Sequence, residues 1–107
     1  MIELGRSEKC YLARIINWQG INLVNVCDKE LIGKTFKDDK IEICISPDYF
    51  KGELVSIEEA IVLIKSSSVA NLAGEKIIIE VIKAKLASKQ AVKKIGTTSF
   101  LMIFKFS

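Results

Sequence analysis

Ile41, Ile43 and Ile45 alternate with Glu42, Cys44 and Ser46, the clearest period-two pattern in the chain. Alternation of this kind sorts side chains onto the two faces of a strand, so it commits the chain to a sheet with a face to bury. Two more apolar, β-branched runs, Cys10–Ile16 and Ile21–Cys27, flank Asn17-Trp18-Gln19-Gly20 and read as a hairpin. Between the second and third strands, Asp28–Asp39 carries turn residues and charge, and its middle, Glu30–Phe36, reads as a structured loop. The third strand ends at Ser46-Pro47-Asp48, because proline has no N–H to give to a ladder. A last strand follows near the C-terminus, where Phe100, Met102, Phe104 and Phe106 alternate with Leu101, Ile103 and Lys105. The phenylalanine face is expected to take the cover of the helices, leaving Leu101, Ile103 and Lys105 open to a partner.

Helical signals are confined to the second half. Ser56 with Glu59 forms a capping box, and Ile57, Ala60, Ile61 and Ile64 follow at helical spacing. Ser66-Ser67-Ser68 ends that helix. A second is predicted from about Val69 or Leu72 to Leu86, with Ile78, Val81, Ile82 and Leu86 on its apolar stripe and Gly74 inside it. Strands followed by helices argue an α+β fold. The expected architecture is a small, mostly antiparallel sheet of about four strands in β-β-β-α-α-β order, with two helices packed on one face. Residues 1–9 read as a short polar arm and 10–107 as a single domain, since 107 residues leave no room for two cores.

Several chemistries are removed by composition. The chain has no histidine, which excludes Ser-His-Asp and Cys-His catalysis and leaves a metal site short of ligands. Cys10, Cys27 and Cys44 show no Cys-x-x-Cys pairing and read as reduced structural thiols. No apolar run is long enough to span a bilayer, and the charged N-terminus lacks the apolar stretch of a signal peptide, so a cytoplasmic protein without membrane contact is expected. Gly33-Lys34-Thr35 resembles the end of a phosphate-binding loop, yet Asp28 stands where that pattern needs glycine and no helix follows. The paired acids Asp38-Asp39 and Glu58-Glu59 lie in polar, turn-like surroundings and read as solvated. No cofactor is called for.

Charge is unevenly spread. Residues 28–59 carry a net charge of −4 and residues 76–107 a net +6. Lys83, Lys85, Lys89, Lys93 and Lys94 crowd into one helix end and the loop after it. A helix C-terminus favours some of them; the rest read either as a solvated basic face or as contacts to RNA or ribosome phosphates. No aromatic residue interleaves them.

The blocks Tyr11-Leu12-Ala13, Leu31-Ile32-Gly33-Lys34-Thr35-Phe36, Tyr49-Phe50-Lys51-Gly52-Glu53 and Ala70-Asn71-Leu72-Ala73-Gly74-Glu75 together resemble an uncharacterised archaeal family, the domain of unknown function numbered 424. The resemblance spans about residues 10–105, and the Ala-Asn-Leu-x-Gly-Glu block is its most specific part. Where many members have a Gly-x-Pro-His-like turn, this chain has Gly96-Thr97-Thr98. The resemblance implies a compact α+β fold, an archaeal cytosol, no known enzymatic activity and a link to translation. The expected function is therefore a non-catalytic binding protein associated with RNA, the ribosome or translation factors, with Lys83 to Lys94 on phosphates and Asn71, Gly74 and Glu75 as a polar anchor. The alternative is a small-molecule-binding protein or small enzyme, its pocket formed by segments 31–36, 49–52 and 71–75 with Lys34 and Tyr49 among its ligand candidates. A structural homo-oligomer is a third possibility.

Overall fold

The computed structural model describes residues 8–50 and 52–105, apart from the Tyr49 side chain. The arm's first seven residues and Phe106 lie outside the described residues.

The hairpin forms as the sequence predicts, but with a tighter turn. Strand β1 (Tyr11–Trp18) pairs antiparallel with β2 (Ile21–Asp28), and only Gln19 and Gly20 connect them. Both have positive φ, 51° and 82°, the signature of the two-residue turn whose twist matches that of the strands. A 3-10 turn at Lys29–Leu31 leads into β3 (Thr35–Lys37), which pairs with β4 (Glu42–Cys44). The strongest alternating segment thus belongs to a separate two-stranded sheet and not to the main one. A one-turn helix, α1 (Pro47–Phe50), and the short strand β5 (Glu53–Val55) follow.

Helix α2 (Ile57–Ser66) starts where the capping box places it. The Glu59 N–H donates to Ser56 Oγ at 3.2 Å and the Ser56 N–H donates to Glu59 Oε1 at 2.8 Å. Beyond it the sequence reading needs correction. Val69–Ala73 is not helical but a strand, β6, parallel to β2 and antiparallel to β8 (Thr98–Phe104). The second long helix, α3, covers only Glu75–Lys83. A 3-10 turn at Lys89–Ala91 and strand β7 (Lys93–Ile95) precede β8. The main sheet has six strands in the order β5-β1-β2-β6-β8-β7, so the expected four were too few. Only the β2–β6 ladder is parallel, and the sheet is mostly antiparallel as expected.

Two clusters of side chains cover the sheet's opposite faces. On one face Tyr11, Ala13, Val24, Val26, Ala70, Leu72, Leu101 and Ile103 pack under Ala60 and Ile64 of α2 and Ile77, Ile78 and Val81 of α3. On the other, Cys27 and Ala73 meet Ile45 and Phe50, with Leu12, Leu31, Ile32, Phe36, Ile43 and Phe100 around them. The last strand is therefore turned over relative to expectation. Leu101 and Ile103 are buried beneath the helices, while Met102 and Phe104 are each 53% exposed. Register explains the reversal. Leu101 lies opposite Leu72 and Ile103 opposite Ala70, slender residues over which helices can approach, and Phe100 goes to the other face, edge-on to Phe36 with ring centroids 6.2 Å apart. Lys105 seals the covered side, its Nζ donating to the Ile64 carbonyl and its N–H to the Ser68 carbonyl.

All three cysteines are free thiols, and the fold grades them: Cys44 exposed, Cys10 intermediate, Cys27 buried. Burial, then the nearby Asp28 charge, pushes the Cys27 thiol up to about 12. A thiol reagent at pH 8 should modify Cys44 first, Cys10 more slowly, and Cys27 only at the rate of unfolding. Equal rates for Cys44 and Cys27 would contradict this packing.

Candidate functional site

The site is built from the turn that joins β6 to α3. Asp28 ends β2 with its carboxylate 3% exposed. Its Oδ2 accepts from the Lys76 N–H and its Oδ1 from the Ile77 N–H, both at 3.0 Å. A residue distant in sequence thus caps α3, in place of the side chain that Gly74 lacks. Burial raises the Asp28 pKa despite the two N–H bonds that favour its charge. Gly74 is the N-cap with φ 117°, and a Cβ there would fall 2.4 Å from Asp28 Cγ. Gly74 was expected inside a helix. It stands at the helix's start because the capping carboxylate occupies the space a side chain would need. Glu75 next to it accepts from Lys94 Nζ at 3.2 Å.

Asn71 was expected to cap a helix or make a polar contact, and makes the second. It lies at the middle of β6, opposite Asn25 on β2 and Met102 on β8. Its Nδ2 donates to Asn25 Oδ1 at 2.9 Å, and Asn25 is fully buried. The Asn71 Oδ1 is buried with no partner among the described residues. Arg14 lies opposite Asn25 on β1, so a polar row, Arg14-Asn25-Asn71, crosses the sheet on the face away from α2 and α3.

Beyond that row the same face carries Ile16, Leu23, Val69 and Phe104 at matching register positions, then Trp18 opposite Ile21 at the hairpin end. The small sheet and α1 cover the Leu12–Cys27–Ala73–Phe100 row. Trp18 is 63% exposed, and Ile21, Met102 and Phe104 also face solvent. Among the described residues this face thus exposes two large aromatic rings and a sulfur, while Asn25 in the polar row beside them is buried.

The lysines of the C-terminal segment do not form one cluster. Lys83 lies at the C-terminal end of α3, 3.8 Å from Glu80, and Lys94 answers Glu75 at the other end, roughly 12 Å apart at 1.5 Å rise per residue. Lys85 follows α3 with φ 62°, Lys89 sits in the 3-10 turn, and Lys93 opens β7 opposite Phe100. All five are exposed. Lys93 and Lys94 lie on β7, the edge strand of the main sheet, while the other three lie at the end of α3 and in the segment that returns from it. Lys34 is an exposed residue before β3, its carbonyl accepting from the Ile45 N–H at 2.8 Å.

Of the segments 31–36, 49–52 and 71–75 proposed as pocket walls, the described side chains of Leu31, Ile32, Phe36, Phe50 and Ala73 pack together in the second core. A concavity lies elsewhere, a groove of 740 Å³ between α2 and the β1–β5 edge, lined by Lys9, Arg14, Ile15, Leu54, Glu58 and Val62 among others. Among the described residues no group of three or more His, Cys, Asp or Glu could hold a metal, and no helix is long and apolar enough to cross a membrane. The sequence reading missed Trp18, Arg14 and Asn25. Their signal was the period-two series Arg14, Ile16, Trp18 in β1 joined to Asn25 through the hairpin register.

The family described as "Protein of unknown function (DUF424)" matches over residues 17–106. An uncharacterized conserved protein from Methanopyrus kandleri has a similar crystal structure, with a TM-score of 0.70, 19% identity, and coverage of 88% of this chain and 90% of that one. At that identity the likeness is one of fold. Among curated proteins none matches.

Proposed function

This chain belongs to the DUF424 family of proteins of unknown function, and we propose that it is a non-catalytic binding module of an archaeal cytosol that takes single-stranded RNA, as in ribosomal or translation-factor complexes, on its open sheet face. The observation that carries this reading is the exposure of Trp18, Met102 and Phe104 on the sheet face away from α2 and α3. Unpaired bases bind such surfaces by stacking on aromatic rings. Lys85, Lys89 and Lys93 would take phosphates, with Lys83 and Lys94 released from Glu80 and Glu75 to join them.

Replacing Lys85, Lys89 and Lys93 by glutamine tests the electrostatic half. These side chains are exposed, so the fold should survive. Affinity for a single-stranded RNA oligomer should fall, and the slope of log affinity against log salt should flatten by about 0.7 for each phosphate contact removed. Parallel lines of equal affinity for parent and variant would show that these lysines serve only as a solvated border.

A further inference from the structure

A row of polar residues crosses the main sheet at its hairpin end. Asn17 lies opposite Asn22, and its Nδ2 donates to Asn22 Oδ1 at 2.7 Å. The Asn22 carbonyl accepts from the Ser68 N–H at 2.8 Å, and the Ser68 carbonyl from the Lys105 N–H at 2.9 Å. The C-terminal end of α2 meets this row. Ser66 Oγ donates to the Leu63 carbonyl at 3.2 Å, while Ser67 Oγ, at 2.9 Å, and Lys105 Nζ both donate to the Ile64 carbonyl. Between the helix end and the sheet lies a cleft of about 100 Å³, lined by Asn22, Ser66 and Ser67 on its polar side and by Ile15, Leu23 and Leu63 on its apolar side. That is the volume of about three waters at roughly 30 Å³ each.

Lys65 and Lys105 bring two positive charges to this helix end, and among the described residues neither forms an ion pair with a carboxylate. The two charges feel each other: burial, then Lys65, lowers the Lys105 pKa. A helix C-terminus favours cations, but the last carbonyls of α2 already have the donors just named, and the Lys105 ammonium keeps N–H groups to spare. Asn22 Nδ2 also retains its protons, since the hydrogen bond from Asn17 engages only Oδ1. No acid lines the cleft. We infer that this cleft is a phosphate site, in which Lys65, Lys105 and the Asn22 amide hold a phosphate group supplied by an RNA backbone or by a free nucleotide. Cations without a counter-ion beside a small polar recess concentrate anions there, and charge-assisted hydrogen bonds hold them. The position fits either source. Phe104 immediately precedes Lys105 and Trp18 immediately follows Asn17, so the site lies around the end of the sheet from two exposed rings. It goes beyond the RNA reading and does not rest on it, because a phosphate needs no ring to bind here.

The test is a titration of the full-length protein at low salt with inorganic phosphate, adenosine monophosphate and adenosine, followed by amide NMR. Phosphate and the monophosphate should move the Asn22 side-chain amide and the Ser67 and Ser68 N–H signals saturably, and adenosine should leave them in place. Asn22→Asp puts a carboxylate into the cleft while still accepting from Asn17, and should raise the phosphate dissociation constant about tenfold or more. Lys65→Gln alters an exposed side chain and should raise it severalfold. Parent-like phosphate affinity in both variants, shifts confined to other residues, or adenosine acting as strongly as its monophosphate would each overturn the inference. A single-stranded RNA then separates the sources. A parallel loss of RNA affinity in Asn22→Asp assigns the site to the RNA backbone, whereas unchanged RNA affinity assigns it to a free phosphate compound. A parent protein that binds phosphate but no RNA would sink the RNA reading and keep this site.

Discussion

Gly74→Ala should destabilise the protein by about 3–5 kcal/mol, the sum of strain at a φ reserved for glycine and damage to the cap of α3. A Cβ at Gly74 would fall within the Asp28 carboxylate, which must then leave the Lys76 and Ile77 N–H groups. Asp28→Ala alone should cost about 2–3 kcal/mol by orphaning the same donors, one of them buried. The two losses overlap. With Asp28 already removed, the new methyl has nothing to collide with and Gly74→Ala costs only its backbone strain, about 1–3 kcal/mol. Urea unfolding of the four proteins should therefore give a double variant more stable than the sum of the singles predicts, by about 2 kcal/mol. Additive losses would mean that Gly74 is required for its backbone angle alone. The cycle bears on the most specific block of the family resemblance. Asn71, Gly74 and Glu75 each have a structural partner, Asn25, Asp28 and Lys94 respectively, so much of that block is explained by the joint between strand and helix.

That joint also shows why the sequence misled where it did. The capping box at Ser56 and Glu59 was legible because both partners lie within one turn. The cap of α3 was not, because its acceptor lies far back in the chain at Asp28. Without it Gly74 looked like a tolerated helix glycine, and β6 merged into the helix that follows. Strand β6 itself is central, with β2 and β8 on either side, so Val-Ala-Asn-Leu-Ala shows no alternation of polar and apolar residues. The three-residue strands β5 and β7 are too short to show a period at all. At β8 the alternation was read correctly but its faces were exchanged, because which face is covered depends on the register with β6 and the approach of α2 and α3. That exchange hid the candidate site. Placing Phe104 and Met102 inward removed the aromatic residues that a basic segment needs to look like an RNA surface.

Trp18 and Phe104 then become the sharpest probe of function. Each is exposed on the sheet face away from α2 and α3, and each stacked base is worth about 1–3 kcal/mol by alanine substitution. Trp18→Ala and Phe104→Ala should thus each lower affinity for a single-stranded RNA roughly 5- to 150-fold at fixed salt. Both side chains are neutral, so the slope of log affinity against log salt should stay that of the parent, whereas the Lys→Gln variant flattens it. The two classes of variant separate stacking from phosphate contact. Little loss of stability is expected from either alanine, since exposed residues away from special backbone positions usually change stability by less than about 0.5 kcal/mol. Asn71→Ala should behave differently: it strips Asn25 Oδ1 of a donor at the sheet's centre and costs about 1–3 kcal/mol of stability. Full RNA affinity in the Trp18→Ala/Phe104→Ala double variant would remove the stacking platform from the proposal. An open face indifferent to RNA would be left as an apolar surface awaiting a protein partner.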